Sequence, residues 1–248
     1  MELALPPIWG FALVLFRAAG LVVAAPAIGT NLVPPQVRLA LAFVAAAAAF
    51  AGGGMPAAPL PPHLVLLAGS ALAETLVGLS AGLGARLVLE AAGAAGQAAG
   101  ISAGLGYGAL LDPVGGASTT ALGQLFAMGA LAFAVALGIH REAFAWLARS
   151  VAAFPPGGAL DLRALAGAVV VHGLAGISLA VRLAFPILAA ITCGHLALGL
   201  LGRIAPQLNL ASVGFSIAIF AGGAAIYLVL PAAADAAARA ALAALREG

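Results

Sequence analysis

The stretch ALAETLVGLSAGLGARLVLEAAGAAGQAAG, residues 71–100, decides the fold class. It is part of an apolar segment that extends from about His63 to Tyr107, some 45 residues. A single helix of that length would measure about 65 Å at 1.5 Å per residue, whereas bilayer hydrocarbon is about 30 Å thick. The segment therefore either turns back near residues 93–100 or continues beyond the bilayer as one long helix.

The composition of the whole chain agrees with a membrane location. Of its 248 residues, 64% are hydrophobic and 7% are charged, and the mean hydropathy is +1.18. A soluble domain carries about 25% charged residues, so this chain has too few polar side chains to cover a water-exposed surface. We predict an all-α integral membrane protein whose surface meets membrane lipid or the apolar flank of other subunits.

Several functional classes lack the residues that they need. Ten basic and eight acidic residues are scattered along the chain, which excludes the concentrated basic face of a nucleic-acid-binding protein. Cys193 is the only cysteine, and the four histidines lack the spacing of metal ligands. No serine lies in a recognisable nucleophile motif. We therefore predict no catalytic residue, no metal, no cofactor and no enzymatic activity.

The apolar runs divide the chain into hairpins within one helical membrane domain, residues 1–248. The expected parts are an N-terminal hairpin at 8–51, a long hairpin with a loop at 63–154, and C-terminal hairpins at 162–248. Pro186 is expected to kink the long apolar stretch 162–201, and residues 203–212 form a polar break. A last apolar helix is predicted at 213–230, with Pro231 opening an Ala-rich tail. Hydropathy indicates about six membrane spans.

Glycines recur at every fourth position in the long segment. Because residues four apart lie on one helix face, such a stripe lets another backbone approach closely. We predict packing seams here rather than the chance matches expected in a glycine-rich chain. The glycines concerned are Gly78, Gly82, Gly96, Gly100, Gly104 and Gly108.

Five charged residues interrupt the apolar runs, namely Arg17, Glu74, Arg86, Glu90 and Arg182. A charge within the hydrocarbon costs several kcal/mol unless it is paired or hydrated, so these side chains should face protein or water. Arg86 and Glu90 are four residues apart and can neutralise each other on one helix face. Structural pairing is favoured over a proton or ion path.

Four motifs resemble the FliR family of flagellar export proteins, whose relatives serve type III secretion injectisomes. The stretch 71–100, with Glu74, Gly78, Gly82 and Gly96, resembles the glutamate-and-glycine helix of the family. FRAAGLVVAAPAIGTNLVPPQVRLALA (16–42) is similar to the opening of the family, with Arg17 and Arg38. GYGALLDPVGG (106–116) resembles its Asp-Pro loop, and RIAPQLNLASVGFSI (203–217) resembles its most specific motif. His140, Ser150 and Pro155 also fall where the family shows similar residues. The sequence APQLN at residues 205–209 favours the flagellar branch of the family.

The resemblance implies long helical hairpins packed against FliP-like and FliQ-like subunits, with FlhB-like and FlhA-like proteins nearby. It implies a multi-pass protein of the bacterial inner membrane, at the flagellar basal body, and a channel for unfolded flagellar proteins. It also implies that one loop plugs the closed channel, although the glycine-rich residues 114–117 lack the bulk of a firm plug. The plug residues are Leu110, Leu111, Asp112, Pro113, Val114, Gly115 and Gly116. The structural and interface residues are Arg17, Arg38, Glu74, Arg86, Glu90, Arg182, Arg203, Pro206, Gln207 and Asn209.

Two alternatives remain open at this point. One is the equivalent subunit of a virulence injectisome. The other is a small-molecule permease, with helices broken at Pro186 and at residues 203–206 around a site in the middle of the membrane.

Overall fold

A computed structural model describes residues 5–30, 33–104, 119–158, 161–204 and 210–247. These residues form eight α-helices and their connecting turns, with no β-strand among them. The predicted all-α class is therefore confirmed. The helices are α1 Leu5–Ala24, α2 Pro35–Gly52, α3 Leu64–Leu89, α4 Ala91–Ser102, α5 Ala121–Ala136, α6 Ile139–Ala153, α7 Leu162–Ile204 and α8 Leu210–Glu247.

The long apolar segment does not turn back near residues 93–100. Glu90 alone separates α3 from α4, and its φ of −66° and ψ of −11° are close to helical values. Leu64–Ser102 can be read as one apolar span of 39 residues. Of the two alternatives that the sequence left open, the long helix is the one observed.

Two prolines lie within helices rather than at their ends. The 43-residue α7 continues through Pro186, and the 38-residue α8 continues through Pro231. The prediction that Pro231 ends the last helix is therefore wrong. A proline removes one backbone hydrogen bond, and the remaining bonds of a long apolar helix are enough to carry the helix past it.

The number of membrane spans agrees with hydropathy. Within the described residues, five helices are long and apolar enough to cross a bilayer. The count rises to six if α5 and α6, interrupted at Leu137 and Gly138, form one broken span. The estimate of about six spans falls within this range.

The chain divides into two compact units. The first comprises Met1–Val88, Val135–Leu174 and Ala240–Gly248, and the second comprises Leu89–Ala134 and Ala175–Arg239.

In the first unit, α1 packs against α2 and α6, and α2 also packs against α6. The ring of Phe11 makes edge-to-face contacts with two rings of α2, at centroid distances of 5.6 Å to Phe43 and 5.5 Å to Phe50. Such T-shaped pairs stabilise packing beyond the area that they bury. Pro35 begins α2, where a missing backbone N–H costs no helical bond.

The second unit has a small apolar core. Phe126 of α5 and Ala99 of α4 are buried there with Ile187 of α7 and Ala233 of α8. Partly buried aliphatic side chains of α7 and α8 surround them, namely Leu183, Ile191, Val229 and Leu230. Alanine and glycine occupy many of the contact positions, so the helices can approach each other closely.

Candidate functional site

A buried ion pair lies in the first unit. Arg17 of α1 is 2% exposed and Glu74 of α3 is 5% exposed, and Arg17 Nε donates to Glu74 Oε2 at 2.7 Å. Two opposite charges in contact cancel each other's field, which allows both to lie inside an apolar unit. The sequence placed each residue in an apolar run and did not pair them.

The guanidinium of Arg17 also binds the carboxyl end of α6. Nη1 donates to the Ser150 carbonyl at 2.9 Å and lies 3.3 Å from Ser150 Oγ. Both Nη1 and Nη2 donate to the Phe154 carbonyl at 3.1 Å. The carbonyls at the end of a helix carry partial negative charge, so a cation is favourable there. Arg17 thus ties α1 to the end of α6.

Glu74 holds the turn that follows α6. Its Oε1 accepts a hydrogen bond from the Gly157 backbone N–H at 2.8 Å. The turn Pro155-Pro156-Gly157-Gly158 closes through the Gly158 N–H and the Pro155 carbonyl, at 3.3 Å. Gly157 has a φ of +83°, the left-handed value that the third position of a type II turn requires. The Pro-Pro-Gly-Gly sequence therefore presents a backbone donor to the buried carboxylate.

Glycines bring α1 and α3 close enough for the ion pair to form. A Cβ on Gly78 of α3 would overlap the Arg17 carbonyl oxygen, and one on Gly20 of α1 would overlap the Thr75 carbonyl oxygen. One turn further along α3, a Cβ on Gly82 would lie 2.7 Å from the Ala24 Cβ. The two helices are therefore in backbone contact at the charged pair and along the residues that follow it in each helix.

This site is closed and balanced in charge. Every buried side-chain nitrogen and oxygen in the described part of the chain has a hydrogen-bond partner. The same residues contain no group of three or more metal-ligating side chains. The geometry therefore supports a structural role, in which one ion pair joins α1, α3, the end of α6 and the turn after it.

A second glycine contact braces the ends of the predicted plug loop. A Cβ on Gly96 of α4 would lie 2.8 Å from the Leu122 carbonyl oxygen and the Phe126 Cβ, and one on Gly100 would overlap Thr120. Gln97 Oε1 accepts from the Thr120 N–H at 2.6 Å. The described ends of the loop, α4 and the start of α5, are therefore in direct contact.

Of the remaining predicted glycines and loop residues, Gly104 alone is among the described residues. Gly104 lies beyond the end of α4 with a φ of +79°, so it is a turn glycine and not part of a helical stripe. Gly108 and the plug residues, 110–116, fall outside the described residues.

The other predicted interface residues are separate from the buried centre. Arg38 donates to the Val33 carbonyl at 2.9 Å and the Thr30 carbonyl at 2.7 Å, which holds the connection between α1 and α2. Arg86 is half-buried on α3, and Glu90 is exposed between α3 and α4. Arg182 is exposed within α7, and Arg203 is exposed in its last turn. Pro206, Gln207 and Asn209 lie outside the described residues.

A further ion-pair cluster holds the end of the chain and was not foreseen. Glu142 of α6 contacts Arg149 at 3.1 Å and Arg246 at 3.4 Å. Arg149 also donates to the Leu245 carbonyl at 3.1 Å, so it caps the last turn of α8. The amphipathic pattern of residues 140–154 was the available signal, because it marks α6 as a helix with one polar face.

The fold and the buried centre thus define a helical membrane protein with several spans. The chain belongs to the family described as bacterial export proteins, family 1, which it matches over residues 8–243. It is similar to the flagellar biosynthetic protein FliR of Caulobacter vibrioides, with 28% identity over 211 residues, covering 85% of this chain and 84% of the relative. It is also similar to the protein of that name from Escherichia coli K12, with 26% identity over 224 residues, covering 88% and 82% respectively.

These findings confirm the resemblance to the FliR family. Together with the apolar helices, they make the chain a multi-pass export protein of the bacterial inner membrane. The family is one of export proteins and not of enzymes.

Changing only one member of the buried pair should destabilise the first unit. Glu74→Gln leaves the Arg17 cation unpaired, and loss of one partner of a buried pair costs about 3–5 kcal/mol. For a chain of this size, that corresponds to roughly 10 °C in the midpoint of heat-induced aggregation, measured in detergent extracts. Arg17→Leu with Glu74→Leu should recover part of the loss.

The reversed pair, Arg17→Glu with Glu74→Arg, serves as the control for this prediction. It should not recover the loss, because a carboxylate at position 17 would face the Ser150 and Phe154 carbonyls. Wild-type stability in the reversed pair would show that the carbonyl contacts of Arg17 contribute nothing.

The close contact of α1 and α3 gives a second prediction. Gly78→Ala should lower the same aggregation midpoint, because its Cβ overlaps the Arg17 carbonyl oxygen and overpacking costs about 1–3 kcal/mol. Gly69→Ala on the same helix is the matched control, since nothing lies within 4 Å of its Cβ. Its effect should be neutral or stabilising. Equal effects at both positions would contradict a backbone contact at Gly78.

Proposed function

We propose that this chain is a core subunit of a flagellar type III protein-export gate, forming its channel with FliP-like and FliQ-like subunits. FlhB-like and FlhA-like export proteins are its further partners, and unfolded flagellar proteins are the substrates. The family match and the flagellar names of both relatives support the proposal.

The observation that carries this proposal is the length and exposure of two apolar helices. Leu64–Ser102 has 39 residues and Leu162–Ile204 has 43. In the most apolar 18-residue stretch of each helix, 11% and 17% of the residues, respectively, are buried. At 1.5 Å per residue they measure about 58 Å and 64 Å, against about 30 Å of hydrocarbon. Lipid therefore covers only about half of each helix.

The other half of each helix needs a protein cover. Large apolar side chains are exposed near the start of the first helix and in the middle of the second, including Val65 at 81% and Phe185 at 71%. Contiguous exposed apolar surface outside a membrane marks a protein interface. Neighbouring export subunits with long apolar helices of their own supply such a cover.

The alternatives receive less support. An injectisome subunit would have the same long helices, but both relatives carry the name of a flagellar protein. The permease hypothesis used a helix break at Pro186, whereas α7 continues through that residue.

We also infer that the loop between α4 and α5 closes the channel at rest. The support for this inference is the contact between α4 and the start of α5. The close approach at Gly96 and Gly100 and the hydrogen bond from Thr120 to Gln97 hold these two ends together. A loop with fixed ends can change its path without disturbing the helices that carry it. The sequence is compatible with this role, because Leu110 and Leu111 are apolar and glycine, as at positions 115 and 116, adopts many backbone conformations with little strain.

Purification from native membranes tests the gate. A tagged chain extracted in mild detergent should elute as a large particle with other export subunits, which mass spectrometry identifies, and deleting its gene should abolish secretion of flagellar proteins. The isolated chain should aggregate or be degraded, because its long apolar helices lack partners. A monodisperse homodimer that binds a small solute would support the permease instead.

Shortening the loop tests the plug. Deletion of residues 114–118 should leave assembly intact but make the membrane leak small ions, measured as loss of a preset potassium gradient. A five-residue Gly/Ser replacement of the same length is the matched control, and it should leak less because it preserves the length that closes the gap. An assembled, ion-tight deletion mutant with normal secretion would leave the loop as a connector only.

A further inference from the structure

Arg182 is a charged side chain in the middle of an apolar helix, and it points away from the rest of its unit. It lies in α7, is exposed, and has no hydrogen bond or ion pair to any part of the chain that the structure describes. The buried positions of α7 are Gly176, Ala184 and Ile187. At 100° per residue they lie about 120–200° around the helix from Arg182.

The surface around Arg182 suits close approach by another helix. Ala175 and Ala189 lie two turns before and after it on the same face, and Ser178 lies one turn before it. All three are exposed and small, so another backbone can come near without a steric clash. The larger neighbours, Val181 at 60% and Phe185 at 71% exposure, are apolar.

A second polar group lies at the same place. Pro186 has no N–H, so it cannot donate to the carbonyl of the residue four positions earlier, which is Arg182. The Arg182 position therefore combines a cation with a carbonyl that lacks its usual helical donor. Both are costly in an apolar environment unless another group binds them.

The counter-charge for Arg182 is not among the described acidic side chains. Each of these already has a partner: Glu74 binds Arg17, Glu142 binds Arg149 and Arg246, Asp161 caps α7, Asp235 binds Arg239, and Glu90 has an interaction of its own. A counter-charge that leaves these pairs intact comes either from another molecule or from an acidic side chain outside the described ones, namely Glu2, Asp112 or Glu247.

The position of Arg182 along the helix favours protein over lipid as that source. Apolar residues 164–181 precede it and apolar residues 183–202 follow it, and each run is about the length that hydrocarbon can cover. Because one bilayer cannot cover both runs, protein must cover the run on at least one side of Arg182. Whichever of the two runs lies in the bilayer, protein covers the other run, and Arg182 lies at the edge of that subunit interface.

We propose that Arg182 forms an ion pair across a subunit interface, with an Asp or Glu carboxylate on an apolar helix of a neighbouring subunit. This inference rests on the proposed function, because it requires a partner subunit. The pair fixes the register of the two helices, since each carries one charge in a long apolar run and any slip would leave both charges unpaired.

The test compares variants of the tagged chain in its native membrane. Arg182→Gln should reduce the amount of chain in the assembled particle at least tenfold, because it leaves the partner's carboxylate unpaired, whereas Arg182→Lys should stay within about threefold of wild type. Arg163→Gln, an exposed arginine at the start of the same helix, is the matched control and should assemble normally. Normal assembly of Arg182→Gln would overturn the proposal, while failure of the wild-type chain to assemble would overturn the gate itself.

Three further measurements separate an interface role from other roles. In cells that lack the partner subunits, the Arg182→Gln chain should be degraded at the same rate as the wild-type chain; faster loss of the variant would show a role within the chain and overturn the proposal. A photoreactive residue at Ala189 should cross-link to a neighbouring protein. Cross-linking to lipid alone would instead assign Arg182 to a lipid phosphate. Asp112→Asn should assemble normally; a loss equal to that of Arg182→Gln would point to a counter-charge within this chain.

Discussion

The mismatch between apolar helix length and bilayer thickness constrains this protein more than any single contact does. The 43 residues of α7 extend about 64 Å, roughly twice the hydrocarbon that a bilayer offers. Such a helix is stable only where protein covers what lipid cannot. The many exposed aliphatic side chains, the small internal core of the second unit and the scarcity of charges all agree with a chain that completes its packing in an assembly.

The first unit, in contrast, is held together by contacts within the chain. Arg17 and Glu74 neutralise each other, and their remaining polar atoms bind the end of α6 and the turn at Gly157. Nothing in this centre needs a partner from outside. The chain therefore contains one charge pair that is satisfied within the fold and, in Arg182, one cation that the described chain leaves unsatisfied. That contrast is consistent with a chain in which one unit is held together by its own ion pair and the other presents a surface that other subunits complete.

The sequence was sufficient for the class of protein and for much of its helical layout. Composition alone indicated a membrane protein. The glycines at every fourth position predicted close helix packing, and Gly78 and Gly100 do make close contacts. It could not pair Arg17 with Glu74, because 57 residues separate them and neither has a local signature for the other. The sequence also led to a wrong end for the last helix, at Pro231. Proline ends a membrane helix less readily than a helix of a soluble protein, because neighbouring groups can bind the backbone carbonyl that it leaves free.

The central claim is that protein as well as lipid covers α3, α4 and α7. Electron cryomicroscopy of the particle that contains this chain, purified from its own membrane, tests the claim most directly. The predicted result is a particle in which helices of other subunits lie along both long helices over the length that extends beyond the detergent belt. A particle in which those helices meet only detergent along their whole length would contradict the account.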